Sequence, residues 1–257
     1  DNIKWHFDDS TGTLTISGTG VAARINEASG EAYDQYRLSI RHVVIEDGIT
    51  EIAPYAFNHI YYLESVWIGD TVKIIGNFAF GDNRNVTQLY IGKSVTTIGE
   101  YAFGYMESLQ SLVLPTSVRE IGVHAFHLCG ITELIIPEGV TVIHEGAFSS
   151  IENLKRLAIP VSITEIKNAA FKNSDNLTDV YYAGTQAQWE AINIVDAAGS
   201  NVVLLDAAIH YNHTHTWDAG TVTKAPGCKT EGEKECTCTE CGATGTVKIA
   251  PQHTWDS

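Results

Sequence analysis

An Ala-Phe pair returns six times along the chain, with Phe at 57, 80, 103, 126, 148 and 171, at steps of 23, 23, 23, 22 and 23 residues. Other columns keep the same step. One runs Ile45, Ile68, Ile91, Leu114, Ile136, Ile159; another runs Ile52, Ile75, Ile98, Ile121, Ile143, Ile166. A third runs Val43, Val66, Leu89, Leu112, Leu134, Leu157, Val180. Self-similarity at a fixed period of about 20 to 50 residues marks a solenoid, because one such unit cannot bury its apolar face alone and stacked copies can. The fold class is therefore an α/β-type repeat solenoid of mainly short parallel strands with short helical turns. Function is then to be sought on the surface of an array.

The third copy shows what one coil builds. Leu89 and Ile91 alternate with polar or aromatic neighbours, the period of a strand with one buried face. A turn follows at Gly92-Lys93-Ser94. Val95 and Ile98 make a second short inward stretch, with Gly99 available for a conformation closed to bulkier residues. Tyr101-Ala102-Phe103 closes the coil, where a short helical turn is expected to set Phe103 into the core. Stacking the first strands predicts a parallel sheet of seven, from Val43 to Val180. The fifth step is one residue short, at His127-Leu128-Cys129-Gly130-Ile131, and Cys129 there reads as a small packed hydrophobe.

Solenoid ends expose core and need caps. At the start, Ile3-Lys4-Trp5-His6-Phe7 and Thr13-Leu14-Thr15-Ile16 flank an Asp/Ser/Gly turn, which predicts a β-hairpin lid. After Tyr181-Tyr182, the stretch Gly184 to Ile192 suits a short helix with Thr185 as its N-cap, and Ile209-His210-Tyr211 gives a last strand. The expected organisation is a cap over 1–38, a solenoid over 39–183, a second cap over 184–212 and a Cys/His-rich module over 213–257.

These residues resemble the BspA-type leucine-rich repeat proteins, surface and secreted proteins of bacteria and some protists. The resemblance covers about residues 1–212. It rests on the I-x-x-I-x-x-x-A-F register from Ile49 to Phe57 onward, on the opening Gly12-Thr13-Leu14-Thr15-Ile16-Ser17-Gly18-Thr19-Gly20, and on Tyr182-Ala183-Gly184-Thr185 with Gln188-Trp189. It implies a right-handed solenoid, export to the cell surface or the medium, and adhesion or ligand binding. It supplies neither a shared ligand nor a catalytic residue. The segment from His213 to His253 is similar to small Cys/His modules in surface proteins of gut Firmicutes. His215-Thr216-Trp217-Asp218 recurs as His253-Thr254-Trp255-Asp256, so the chain is expected to stop as another copy begins.

Charge and motifs narrow the function classes. With 31 Asp and Glu against 16 Lys and Arg, and no Lys/Arg run, the chain lacks the clustered cations that a nucleic-acid partner needs. No apolar stretch approaches the roughly 18 residues of a membrane span, so membrane insertion is not expected. The start at Asp1 carries no signal segment, and an exported chain would have shed its leader. Gly18-Thr19-Gly20 imitates a dinucleotide fingerprint but lacks the βαβ context. No nucleophile elbow, His-Glu-x-x-His or spaced carboxylate pair is present, so no enzyme and no cofactor for activity is read.

Cys238-x-x-Cys241 is the strongest chemical motif. With Cys228 and one of His213, His215 or His253 it would complete a tetrahedral structural zinc site. Cys236 brings the tail to four cysteines, which equally permits disulfides. Recognition is placed on the outer face of the parallel sheet. There the outward column Val44, Trp67, Tyr90, Val113, Ile135, Ala158, Tyr181 adjoins His42, Ser65, Gln88, Ser111, Glu133, Arg156, Asp179. Trp67, Tyr90, Tyr181, Arg156 and Gln88 are the candidate contacts for an extracellular protein ligand. A glycan stacking on Trp67, Tyr90 and Tyr181 is the second reading, and a passive spacer the third. The sequence does not fix the oligomeric state.

Overall fold

The structure is a computed structural model that describes residues 2–23, 33–214, 216, 219–224, 232–240 and 244–249. Six coils stack with their phenylalanines in one column, from Phe57 in coil one to Phe171 in coil six. Successive rings lie 5.1, 5.7, 5.4, 5.6 and 5.8 Å apart at interplanar angles of 4° to 18°. All six rings are buried, and so is the alanine before each. The small side chain keeps the coil close enough to its neighbour for the rings to touch, and each such pair adds about 0.5–1.5 kcal/mol beyond burial of its area.

Each coil presents three sides. The first is the parallel sheet, with strands His42–Ile45, Ser65–Ile68 and Gln88–Tyr90 in register, Val44 opposite Trp67 and Trp67 opposite Tyr90. The second side is a ladder of shorter strands, Ile49–Ile52, Ile74–Ile75, Thr97–Ile98 and Glu120–Ile121. At the start, Lys4–Asp8 and Thr13–Ser17 form an antiparallel hairpin, and Thr13–Ser17 then pairs in parallel with His42–Ile45. The lid thus continues the sheet it covers. At the other end Gln186–Glu190 is a helix whose N-cap Thr185 forms a capping box with Gln188. Ala208–His210 adds a final strand beside Asp179–Tyr182.

The third side, around each Ala-Phe pair, differs from the helical turn expected there. Residues two before and two after each Phe have positive φ: Tyr55 and His59 at 60° and 57°, Phe78 and Asp82 both at 56°, Tyr101 and Tyr105 at 49° and 66°. Left-handed backbone costs an L-residue about 1–2 kcal/mol. What offsets the cost is that every second N–H of the segment reaches a carbonyl of the next coil. Tyr55, Phe57 and His59 donate to the carbonyls of Asn77, Ala79 and Gly81 at 3.0, 2.7 and 3.1 Å. The pattern repeats along the array, so this spine is polarised, with amides aimed toward the C-terminal end. Both ends are sealed accordingly. Arg37 donates from Nη2 to the Asn58 carbonyl (2.5 Å) and from Nε to that of His59 (2.8 Å). At coil six the Ala169 and Phe171 amides donate to Ser200 Oγ and Asn201 Oδ1, both at 3.2 Å. The expected freedom of Gly99 is not used, since Tyr101 takes the left-handed position. Gly99 is small because a Cβ there would stand 2.5 Å from Asn77 Oδ1.

The sheet of seven is also not continuous. It runs through Gln88–Tyr90, stops, and restarts at Glu133–Ile135, with Arg156–Ile159 and Asp179–Tyr182 following. Residues 110–114 form no strand, and the second ladder breaks as well, between Glu120–Ile121 and Val142–Ile143. The spine crosses from coil four to coil five with its bonds intact: His124, Phe126 and Leu128 donate to Glu145, Ala147 and Ser149 at 3.0, 2.9 and 3.0 Å. This is the joint with the shortened step. In coils two, four and six a turn hydroxyl ties the coil to the one before: Thr71 to the Ile49 carbonyl, Ser117 to Val95 and Ser162 to Val140, at 2.6 to 2.8 Å. Coil five has Gly139 at that place, and Arg119 of coil four takes the Val118 carbonyl instead, at 2.9 Å.

Candidate functional site

The break divides the outer face of the sheet into two unlike halves. On the N-terminal half, cross-strand pairing sets Trp67 and Tyr90 side by side, and their rings stack with centroids 3.9 Å apart at 14°. They remain 52% and 38% exposed, too much for a pair whose role is to fill the core. Beside them the turn after each strand supplies carboxylates. Asp47 Oδ1 accepts from the Asp70 amide at 2.7 Å, and Asp70 Oδ1 accepts from the Lys93 amide at 3.1 Å. Asp70 also receives the Tyr90 hydroxyl at 3.0 Å and the Lys93 ammonium at 2.6 Å. The hydrogen bond from that ammonium, with the Lys93 amide next in weight, holds the Asp70 carboxyl below the usual aspartate value. Burial, then the neighbouring Asp70, raises the Tyr90 phenol. Val44, Glu46, Asp47, Trp67, Gly69, Asp70 and Tyr90 line an open groove of about 440 Å³. Gln88 is exposed at the edge of the same half.

The tail packs on the C-terminal half around Ala158, and there the expectation of one uniformly exposed face fails. Ala158 is buried against Cys238, with Ile135 and Tyr181 packed around them. Tyr181 stacks on His210 at 4.7 Å and meets the His213 ring at 4.9 Å. Arg156 pairs with Glu133 at 2.5 Å and donates from Nη1 to the Glu240 carbonyl at 3.1 Å. Asp179 is held below the usual range, chiefly by its hydrogen bond from His210 at 2.8 Å. Of the five candidate contacts, Trp67, Tyr90 and Gln88 share one accessible surface. Tyr181 and Arg156 are engaged by this chain's own tail.

Of the residues proposed for zinc or disulfides, Cys228, Cys241, His215 and His253 lie outside the described residues. Cys238 is buried, with Sγ 3.7 Å from His213 Nε2. Among the described residues no three His, Cys, Asp or Glu side chains gather as a metal site.

One feature of the spine was not read from the sequence. Tyr55, Phe78, Tyr101 and His124 stack in a second ladder at 5.0, 4.9 and 4.7 Å. It stops at Gly146, where the His124 ring occupies the place of a Cβ. The signal was there, an aromatic two residues before each of the first three Phe, but it ends after His124 and so breaks the period.

Comparison with known proteins agrees with this architecture. The chain matches the model described as the BspA type leucine rich repeat region, six copies, over residues 27–126 and 74–191. Among solved structures, a leucine-rich repeat protein from Bacteroides ovatus is 28% identical, with a TM-score of 0.53 over 70% of this chain and 46% of its own. One from Eubacterium ventriosum is 24% identical, with a TM-score of 0.55 over 69% of this chain and 57% of its own. The chain therefore spans about half the length of these two structures. The T. pallidum leucine-rich repeat protein shares the fold at 20% identity, with a TM-score of 0.53 over 82% of this chain and 97% of its own. No curated protein sequence matches the chain.

Proposed function

The chain belongs to the BspA-type leucine-rich repeat family, and on that premise we propose that it is a non-catalytic binding protein of the bacterial cell surface or medium, recognising a protein ligand through the N-terminal half of its sheet face. The observation that carries this reading is the exposed Trp67–Tyr90 pair over an open groove. Aromatic anchors of this kind dominate protein recognition, because they bury much area at little cost in side-chain freedom. The opposite half supports the reading in its own way. Where the tail does cover the sheet, it uses an apolar contact at Ala158 and polar ties at Arg156, so this type of face accepts a polypeptide. Among the described residues no helix is long and apolar enough to cross a membrane.

The test is binding of the whole chain to a panel of extracellular-matrix proteins and glycans, beside a Trp67→Ala/Tyr90→Ala variant. A saturable protein ligand that weakens at least tenfold in the variant is the expected result, about the loss of one hot-spot residue. A ligand bound equally by both proteins would remove recognition from the sheet face. A glycan lost in the variant would assign the face to carbohydrate.

A further inference from the structure

We propose that the groove over Val44 receives a cationic side chain, lysine or arginine, of the protein ligand; this rests on the reading of the sheet face just given and names the chemistry the partner must bring. The molecule contains its own template for the contact. In coil three, Lys93 places its ammonium on Asp70 beside Tyr90. One coil earlier the same turn presents Asp47 beside Trp67, but the residue in the place of Lys93 is Asp70. Its amide repeats the backbone bond to Asp47, and its side chain brings a second carboxylate where the template has a cation. Asp70 is neutralised by Lys93. Asp47 and Glu46 are exposed, and among the described residues neither has a cation within ion-pair distance.

The aromatic surface fits the same occupant. Trp67 stacks on one ring only among the described residues, that of Tyr90, which takes one face of the indole. On the other side its ladder neighbour is Val44, too small to cover an indole. That leaves a ring face bordered by the Glu46 and Asp47 carboxylates, all lining one groove. An indole face carries the negative end of its quadrupole outward and is the best aromatic partner for a cation. A positive charge seated there meets the ring and the carboxylates at once. A neutral ligand has no such compensation for displacing water from the acids. The chain's net charge of −15 draws a basic segment toward the surface. The groove then selects the residue that docks.

The experiment uses the full chain and a fluorescein-labelled (Gly-Arg)3 peptide, with (Gly-Glu)3 as its acidic counterpart, at an ionic strength of about 0.15 M, where distant charges are screened. The expected result is saturable binding of the arginine peptide alone, weakened at least about fivefold by Trp67→Ala and by Asp47→Asn. Glu152→Gln, which removes an equal charge from an exposed site elsewhere, should leave it unchanged. Asp70→Lys should abolish binding by supplying the missing ammonium from within. Full affinity in Trp67→Ala, or an equal loss in Asp47→Asn and Glu152→Gln, would reduce the effect to general attraction by an acidic protein and overturn the proposal. The two levels separate cleanly. A panel protein that needs Trp67 and Tyr90 but is not displaced by the arginine peptide leaves the sheet-face reading standing and removes the cation. A panel protein indifferent to both aromatics removes the reading itself.

Discussion

Asn83 has no accessible surface, yet it is polar, and its three hydrogen bonds explain why it stands in a largely apolar column. It accepts from the Ile60 amide at 2.7 Å and donates to the carbonyls of Phe57 and Phe80 at 2.9 and 2.7 Å. The equivalent residues are Ile60, Met106, Cys129, Ile151 and Ser174, and every second one reaches back in the same way. Cys129 donates to the Phe103 carbonyl at 3.3 Å and Ser174 to that of Phe148 at 3.2 Å. The thiol read from sequence as a packed hydrophobe is buried as expected, with its pKa pushed up to about 12 by that burial. It also ties two coils together, which the residue type alone did not announce. A super-period of two coils lies behind a sequence period of one, and it was hidden because Asn, Cys and Ser share no hydrophobicity signal. Asn83→Met, which copies Met106 at the same place one repeat on, should strand the Ile60 amide and the Phe57 carbonyl. Loss of about 1–3 kcal/mol in denaturant unfolding is expected. An unchanged midpoint would mean that other groups satisfy them.

At the scale of the element, the buried faces were legible and the backbone was not. Columns of Ile, Leu, Val and Phe report which side faces in, because burial restricts chemistry at every copy. The left-handed positions carry Tyr, His, Phe, Asp, Leu, Ser, Ala, Asn and Gly, and only Gly146, Asp82 and Asn173 are clear hints of positive φ in a mixed set. Inter-coil hydrogen bonds enforce that backbone, so local propensity had nothing to show. The break in both ladders had one clue, the 22-residue step, and at the same joint Gly139 lacks the turn hydroxyl and Arg119 bonds the Val118 carbonyl. Restoring the common pattern with Arg119→Thr and Gly139→Ser together frees the Val118 carbonyl and provides its donor. A gain of about 0.5–1.5 kcal/mol is expected by chemical denaturation, the worth of one such bond. The same double change without any gain would place the cause of the break in the deleted residue alone.

Across the whole molecule, two contacts decide how the parts behave. Arg156 meets Glu240 across 84 residues, a separation at which no periodicity speaks. It changes the candidate site, since Tyr181 and Arg156 turn inward to the tail while Trp67 and Tyr90 stay open. The joint between coils four and five lacks both ladders and is bonded chiefly along its spine. Local opening begins where bonds are fewest. Hydrogen exchange should therefore be faster at 111–113 and 142–143 than at 66–68 and 157–159. Equal protection across the joint would show that side-chain packing alone holds it closed.

The one-way spine has a further consequence, for how such a molecule changes length over generations. Every coil offers donors on one side and acceptors on the other, as Tyr55, Phe57 and His59 do toward Asn77, Ala79 and Gly81. A duplicated coil dropped between any two others finds both neighbours already complementary. Only the terminal pieces, with Arg37 at one end and Ser200 and Asn201 at the other, are specialised, and they never need to be remade. Copy number becomes a free variable of the gene, and with it the distance between the open aromatic groove and the half of the sheet beneath the tail.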